Sequence, residues 1–468
     1  MSWLRSIAAH ALATAVWVPA ASIMLTGASE AAAAQGHQDL ESAAQSVRWL
    51  REYLQIDTTN PPGNELEGVR YLATILESAG IESRILTSPQ GRASLYARLP
   101  ATAESRGTLV LMHHIDVVPA LDGWQVEPFS GRPLNDKIWG RGALDVKGLG
   151  IAQLVATLAL ERSGAERQRD VVLLAVADEE VGGGQGTGWL VEAHPELFEG
   201  VDAVLNEGGS NRVLNDRVIW WGIEVTQKRP LWLEVTARGR GGHASGFHPA
   251  SATHRLIKGL SRLIERSSRP RANAAARTYL GALAELEGGQ DSELMRRLDR
   301  GGDLSEVPMP PGLSIYFIDS LQVTAIDNGE GPNVVSPVAR ASVDVRLLPD
   351  TDSDAFLAEI KELLGQDLDV QVLLDAPPAA ASPTDHPVFE LLTQALSVRA
   401  PVVPSFLTGT TDSRYFRQRG IPAYGFSPFA INPEDLRGIH ARDESIPVDA
   451  FLRGIETLRR FLELYVER

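Results

Sequence analysis

The chain has 468 residues, no cysteine, 44 lysines and arginines against 60 aspartates and glutamates, and a formal charge of −16. That length exceeds one ordinary domain, and the acidic balance argues against a nucleic-acid backbone or an anionic membrane surface as the main partner. The missing cysteine excludes disulfide scaffolds, thiolate nucleophiles, iron–sulfur clusters and cysteine-held zinc, so any metal must be held by His, Asp and Glu.

In chain order, the amino terminus stands apart from the fold. Arg5 precedes a small apolar run from Ala11 to Leu25, and an alanine patch, Ala31–Ala34, comes before Gln35. That order is expected of a secretory signal over residues 1–34, which would leave a secreted or periplasmic protein with no stable membrane span after processing. The alternative is an uncleaved membrane anchor, but the run is barely long enough to cross a bilayer and is interrupted by His10 and Pro19.

From Gln35 strand-like and helix-like stretches alternate. A helix is predicted over Leu40–Leu54, a turn at Asn60–Gly63 and a second helix over Glu65–Ala79. Three later segments share one design: Leu109–Met112 runs into His113-His114-Ile115-Asp116, Val171–Val176 into Asp178-Glu179-Glu180, and Asp202–Leu205 into Asn206-Glu207-Gly208-Gly209. Short continuous apolar runs are expected of strands buried on both faces of a parallel sheet. Ligands gather at the carboxyl ends of such strands, where an unpaired charge is costly. His113 points to the opposite face from His114 and reads as a core histidine or one that supports a ligand from behind. The stretch Gly140–Gly148 leads into a helix over Leu149–Arg162; its glycine spacing is wrong for a phosphate loop, and Asp145 sits where a phosphate would approach.

Residues 230–377 read as an insertion. A strand over Leu231–Ala237, a helix over Ala250–Glu265, strands at Leu321–Ile326 and Ala339–Leu347, and a helix near Asp354–Leu364 suggest a small α/β sandwich. Between Ile264 and Ile315 lies an extra helix-prone stretch, including Ala274–Leu286 and Ser292–Leu298, which either decorates the lid surface or covers substrate. Residues 378–468 then complete the first domain with a helix over Val448–Glu467. The fold class is therefore α/β: a mostly parallel sheet flanked by helices, built from residues 35–229 and 378–468, with an inserted α/β sandwich lid.

The strings His114–Pro119, Gly140–Gly148, Asp178–Glu180, Asn206–Gly209 and Gly242-His243-Ala244-Ser245 together resemble the dinuclear zinc peptidase family of aminoacylases, succinyl-diaminopimelate desuccinylase, carnosinases and carboxypeptidases. The resemblance covers nearly everything after the signal segment. Gly409-Thr410-Thr411-Asp412-Ser413-Arg414 further resembles the carboxypeptidase S branch, which includes N-fatty-acyl-amino-acid hydrolases.

The resemblance implies one metal on His114, Asp145 and Glu207 and a second on Asp145, Glu180 and His440, with Asp145 bridging; two zinc ions close together need such a shared anion. Co²⁺ or Mn²⁺ are possible substitutes. His440, in a loop before a helix, is a ligand by the resemblance alone. Asp116 fits a carboxylate that orients the His114 imidazole, and Glu179 is the expected general base. In the lid, His243 resembles an oxyanion-stabilising histidine, Asn333 an amide that bonds substrate, and Arg346 an arginine that clamps a carboxylate, although Arg346 alone would read as a surface salt bridge. Thr411 and Arg414 join them as substrate-binding candidates. The expected activity is hydrolysis of an amide next to an amino acid with a free carboxylate, in a small peptide or N-acyl amino acid, by an exported dinuclear zinc enzyme, with the lid as the expected surface of a homodimer. The alternatives are a dinuclear zinc aminopeptidase and a catalytically silent binding protein on the same fold.

Overall fold

Residues 65–227 supply β1 (Ser83–Thr87), β2 (Ala93–Leu99), β3 (Thr108–His114), β4 (Arg132–Leu134), β5 (Lys137–Trp139), β6 (Asp170–Val176), β7 (Val201–Asn206), β8 (Arg212–Leu214) and β9 (Arg217–Gln227), with helices α1 (Glu65–Ser78), α2 (Lys147–Ser163) and α3 (Thr187–Ala193) among them. They come from a computed structural model that describes residues 41–266, 268–287, 293, 294, 304, 309, 311–329 and 331–468. The expected signal segment, 1–34, lies outside the described residues.

Every residue of β3 and of β6 is buried, as the continuous apolar runs require. β3 lies parallel to β6 on one side and to β7 on the other, and Leu111 is level with both Leu173 and Leu205. The three strands therefore end side by side, and the residues that follow emerge at one edge of the sheet. One face is covered by α3 and by two later short helical turns, where Leu190, Val191, Phe198 and Phe416 pack on Val110, Met112, Val172 and Leu174. α2, whose residues are buried almost all round, needs cover on every side and ends at Gly164 in the left-handed conformation.

After the insertion the chain returns to the large sheet. The insertion itself contains β10 (Arg229–Arg238), β11 (Gly242–His243), α4 (Ala252–Ile264), α5 (Ala274–Glu287), β12 (Ser320–Asp327), β13 (Val334–Val335), β14 (Val338–Leu347), α6 (Ser353–Leu364) and β15 (Leu368–Asp375). The chain then continues through α7 (Pro387–Ser397), β16 (Val402–Leu407), α8 (Ser413–Arg417), β17 (Ala423–Gly425), β18 (Ser445–Pro447) and α9 (Val448–Val466). The large sheet has the order β1-β2-β6-β3-β7-β17-β9-β16, with β8 paired to β9. α9 lies along α2.

The lid sheet runs β12-β14-β10-β15, all antiparallel. β14 alternates buried and less buried residues, the pattern of a strand covered on one face. That face carries Leu233, Val235, Val343 and Val345 against Leu256 and Leu260 of α4 and Phe356 and Ile360 of α6. Ser251 caps α4 by accepting the His254 N–H, and Asp352 caps α6.

The extra lid stretch behaves differently from either expectation. α5 buries Ala276, Leu280 and Leu283 against Trp220, Val403 and Phe406, so it packs on the last strand of the large sheet rather than on the lid. Its physical role is to cover apolar side chains of β9 and β16 that would otherwise face solvent. The helix expected over Ser292–Leu298 lies outside the described residues except for 293 and 294. Among the described residues no helix is long and apolar enough to cross a membrane.

Candidate metal centre

His114, the last residue of β3, presents Nε2 at 3.1 Å from Asp145 Oδ1 and 3.6 Å from Glu207 Oε1. Asp145 lies on the loop between β5 and α2, and its other oxygen, Oδ2, is 3.0 Å from His440 Nε2, which in turn lies 3.2 Å from Glu180 Oε2. The two oxygens of Asp145 thus face two histidines that are far apart in sequence. Ligand atoms of His114, Asp145 and Glu180 all fall within 4.8 Å of one another, as do those of His114, Glu179 and Glu207. The structure brings together all five residues expected as ligands, and the expected base beside them.

The electrostatics of this cluster call for cations. Burial, reinforced by Glu207, raises the Glu179 carboxyl well above its ordinary range. Burial also pushes Glu207 up to about 8, with Asp145 and Glu180 adding to the effect. Burial opposes protonation of His114, yet Glu207, Asp145 and Glu179 outweigh it and raise that imidazole well above its usual value. Hydrogen bonds to Asp145 and Glu180 push His440 up to about 10. Asp145 is buried too, but the two histidines hold it below the ordinary carboxylate range. Four carboxylates around two histidines leave excess negative charge, and Glu180 Oε1 is buried with no hydrogen-bond partner among the described residues. Oxygen and imidazole donors with one orphaned carboxylate oxygen fit hard or borderline divalent ions.

The supports of the cluster differ from expectation at Asp116. Its carboxylate was expected to orient His114, but His114 Nδ1 instead bonds the Asp116 backbone carbonyl at 2.8 Å, while the nearest carboxylate oxygen is 3.9 Å away. The carboxylate, fully buried, accepts the Asn60 side-chain amide at 2.7 Å and the backbone N–H groups of Glu179 and Glu180 at 3.1 Å each. β3 ends at His114, so strand alternation no longer governs where Asp116 points. His113 is a core residue, buried near Tyr53, and burial lowers it to about 3.

Two supports escaped the sequence reading. Asn60 was seen only as part of a turn. Glu444, four residues beyond His440, accepts the N–H groups of Leu144 at 2.7 Å, Asp145 at 3.0 Å and Gly142 at 3.0 Å, and pairs with Arg141 at 2.6 Å. Only the acidic pair closing the string Arg437–Glu444 hinted at it.

The substrate-binding candidates divide. β11 pairs with β13 so that His243 faces Val334, which places His243 and Asn333 together on a two-stranded ribbon of the lid. His243 Nδ1 takes the Ser245 hydroxyl at 2.8 Å. Arg346 is held by Asp344 through Nε and Nη2 at 2.8 Å each. No hydrogen bond or ion pair among the described residues joins these three to the metal cluster. Thr411 and Arg414 are both buried: the Thr411 hydroxyl donates to Gln227 Oε1 at 2.9 Å, and the Arg414 guanidinium donates to the carbonyls of Thr411 and Gly182.

Known proteins resemble this chain in sequence and fold. Residues 110–464 match the model of peptidase family M20/M25/M40. Aminoacylase-1 of Pongo abelii is 28% identical over 427 residues, covering 89% of this chain and 94% of that protein. The mouse N-fatty-acyl-amino acid synthase/hydrolase PM20D1 is 26% identical over 380 residues, covering 76% and 73%. Among solved structures, the M20 family metallo-carboxypeptidase Sso-CP2 from Sulfolobus solfataricus superimposes with a TM-score of 0.72 at 22% identity, covering 90% of this chain and 99% of that one. Human carnosine dipeptidase 1 gives 0.69 at 17% identity, covering 92% and 99%. With most of its length matched by the family model and its fold shared with these structures, the chain belongs to peptidase family M20/M25/M40.

Proposed function

We propose that the protein hydrolyses an amide bond next to an amino acid with a free carboxylate, as a carboxypeptidase, dipeptidase or N-acyl-amino-acid hydrolase, with two zinc ions. The observation that carries this reading is the bridging position of Asp145 between His114 and His440. His114, Asp145 and Glu207 would hold one ion, and Asp145, Glu180 and His440 the other. When bound, such ions acidify water and polarise a carbonyl. Glu179, beside the cluster and held by the N–H bond to Asp116, takes the proton from the attacking water and passes it to the leaving amine.

His243 and Asn333 would meet the substrate from the lid, His243 facing the developing oxyanion. Arg346 supplies the carboxylate clamp through Nη1, since Asp344 takes only Nε and Nη2. Ile257, Ile264 and Ile326 are exposed around a lid cavity of about 600 Å³, which supports a homodimer through that face. Export is read from residues 1–34 and is checked by the amino-terminal sequence of the mature protein. The decisive experiment measures metal content and amine release from a panel of N-acyl amino acids and dipeptides, with and without zinc. Absence of metal together with tight ligand binding would favour a silent binding protein. Cleavage confined to substrates with a free amine and a blocked carboxylate would favour an aminopeptidase.

A further inference from the structure

Glu179 sits on a single helical turn, Glu179–Val181, that begins after Asp178 and ends at Gly182. Its backbone bonds itself through Val181 N–H to the Asp178 carbonyl at 3.3 Å, Gly182 N–H to the Glu179 carbonyl at 2.8 Å and Gly183 N–H to the Asp178 carbonyl at 2.7 Å, but so short a turn leaves its first N–H groups and last carbonyl to be met by side chains from elsewhere. Its start is fixed by Asp116, which accepts the N–H groups of Glu179 and Glu180. Asp178 is anchored by Arg92 at 2.5 Å and accepts the Gln185 N–H at 2.8 Å. Its end is fixed at one atom, the carbonyl oxygen of Gly182, which accepts Arg414 Nη2 at 2.5 Å and the Tyr415 hydroxyl at 2.7 Å.

Arg414 is itself locked. Its Nη1 donates to the Thr411 carbonyl at 2.9 Å and its guanidinium stacks over the Tyr415 ring at 4.5 Å. Asp412 lies 3.7 Å from Nη2 and touches Gly183 so closely that a Cβ there would fall 2.1 Å from Oδ1. Gly182 has φ of 110°, a conformation that favours glycine, and its open side faces Trp232 and Leu374 of the lid. The guanidinium is 5% exposed, so no face of it is offered to a bound molecule.

We propose that Arg414 and Tyr415 are positioning residues for the general base: together they hold the Gly182 carbonyl and so set the place of the Glu179 carboxylate, and Arg414 does not bind the substrate carboxylate. This rests on the reading of Glu179 as the base. A general base displaced by a fraction of an ångström loses rate without losing substrate affinity, because binding is made elsewhere.

The test compares zinc-loaded wild type, Arg414→Lys and Tyr415→Phe by kcat and KM on an N-acyl amino acid, by metal content, and by amide hydrogen exchange of residues 179–186. We expect kcat to fall about ten-fold in Arg414→Lys and about three-fold in Tyr415→Phe, with KM within about two-fold and metal content unchanged. Exchange over 179–186 should rise about ten-fold, as the turn opens more often. A KM raised about ten-fold at unchanged kcat would give Arg414 to the substrate and overturn the proposal, as would unchanged exchange in both variants. Tyr415→Phe removes only a hydroxyl, so it decides the matter if Arg414→Lys does not fold. A wild type inactive on every substrate would remove the hydrolase reading, and the exchange measurement would still decide the clamp.

Discussion

Glu444 grips the backbone that presents Asp145: its Oε1 accepts the Asp145 N–H at 3.0 Å while its Oε2 pairs with Arg141 at 2.6 Å. His440, on the same loop as Glu444, bonds the Asp145 carboxylate from the other side. One short segment near the end of the chain therefore both adds a histidine to the cluster and fixes the backbone of the aspartate between the two histidines, which ties assembly of the cluster to closure of the fold around it.

Glu444→Gln should weaken both properties. The variant keeps one acceptor oxygen but leaves the buried Arg141 without its counter-charge, and breaking a buried pair costs about 3 kcal/mol. Metal affinity should fall about ten-fold or more, because the bridging carboxylate loses its support. Urea unfolding and zinc titration read the two effects; a loss of stability with unchanged affinity would show that Glu444 serves the fold alone.

Glu179→Ala separates binding from chemistry. The cluster retains His114, Asp145, Glu180, Glu207 and His440, so metal content should stay at the wild-type level while kcat falls about 10³-fold, the usual contribution of a placed base. Elemental analysis beside steady-state kinetics makes the check. Near-normal turnover would mean that another group carries the proton.

Asp116→Asn distinguishes the two ways in which Asp116 touches the site. His114 bonds the backbone carbonyl, which the substitution leaves intact, so zinc affinity should change less than about three-fold. The side chain loses one of the two acceptor oxygens that hold the Glu179 turn, so kcat should fall about ten-fold. The reverse pattern, weak zinc and normal kcat, would return the orienting role to the carboxylate.

Lys228, between β9 and β10, gives a pH dependence of known sign. It is buried with its ammonium on the Ile318 carbonyl at 2.9 Å, and burial lowers it to about 8. Below that value both folded and unfolded chains carry the proton, so the cost of burying the charge is constant. Between about 8 and the ordinary lysine value near ~10.4, only the unfolded chain holds it, so this group's contribution to stability rises with pH by up to about 1.4 kcal/mol per unit. Lys228→Met should flatten that rise in urea unfolding between about pH 8 and pH 10. Parallel curves for the two proteins would contradict it.

Much of the fold was legible because its signals are local. The runs Leu109–Met112 and Val171–Val176 are buried parallel strands, and the polar residues just beyond them meet at the sheet edge. The lid helices and strands fall within a few residues of their expected limits, since amphipathic period and turn residues mark them. The destination of α5 was not legible: its apolar stripe announces burial but not which surface receives it, and only the exposed flank of β16 decides that.

The sequence by itself determined which donors are available, their order along the chain and the absence of thiolates, and these follow from residue identity. Which atom of Asp116 meets His114, whether Arg414 faces a ligand or the Gly182 carbonyl, and that Glu444 holds Asp145 were decided by tertiary structure. The reason is directional. A hydrogen bond needs its partner within about 3 Å at a set angle, and residues hundreds of positions apart acquire that relation only once the sheet, its loops and the last helix have packed.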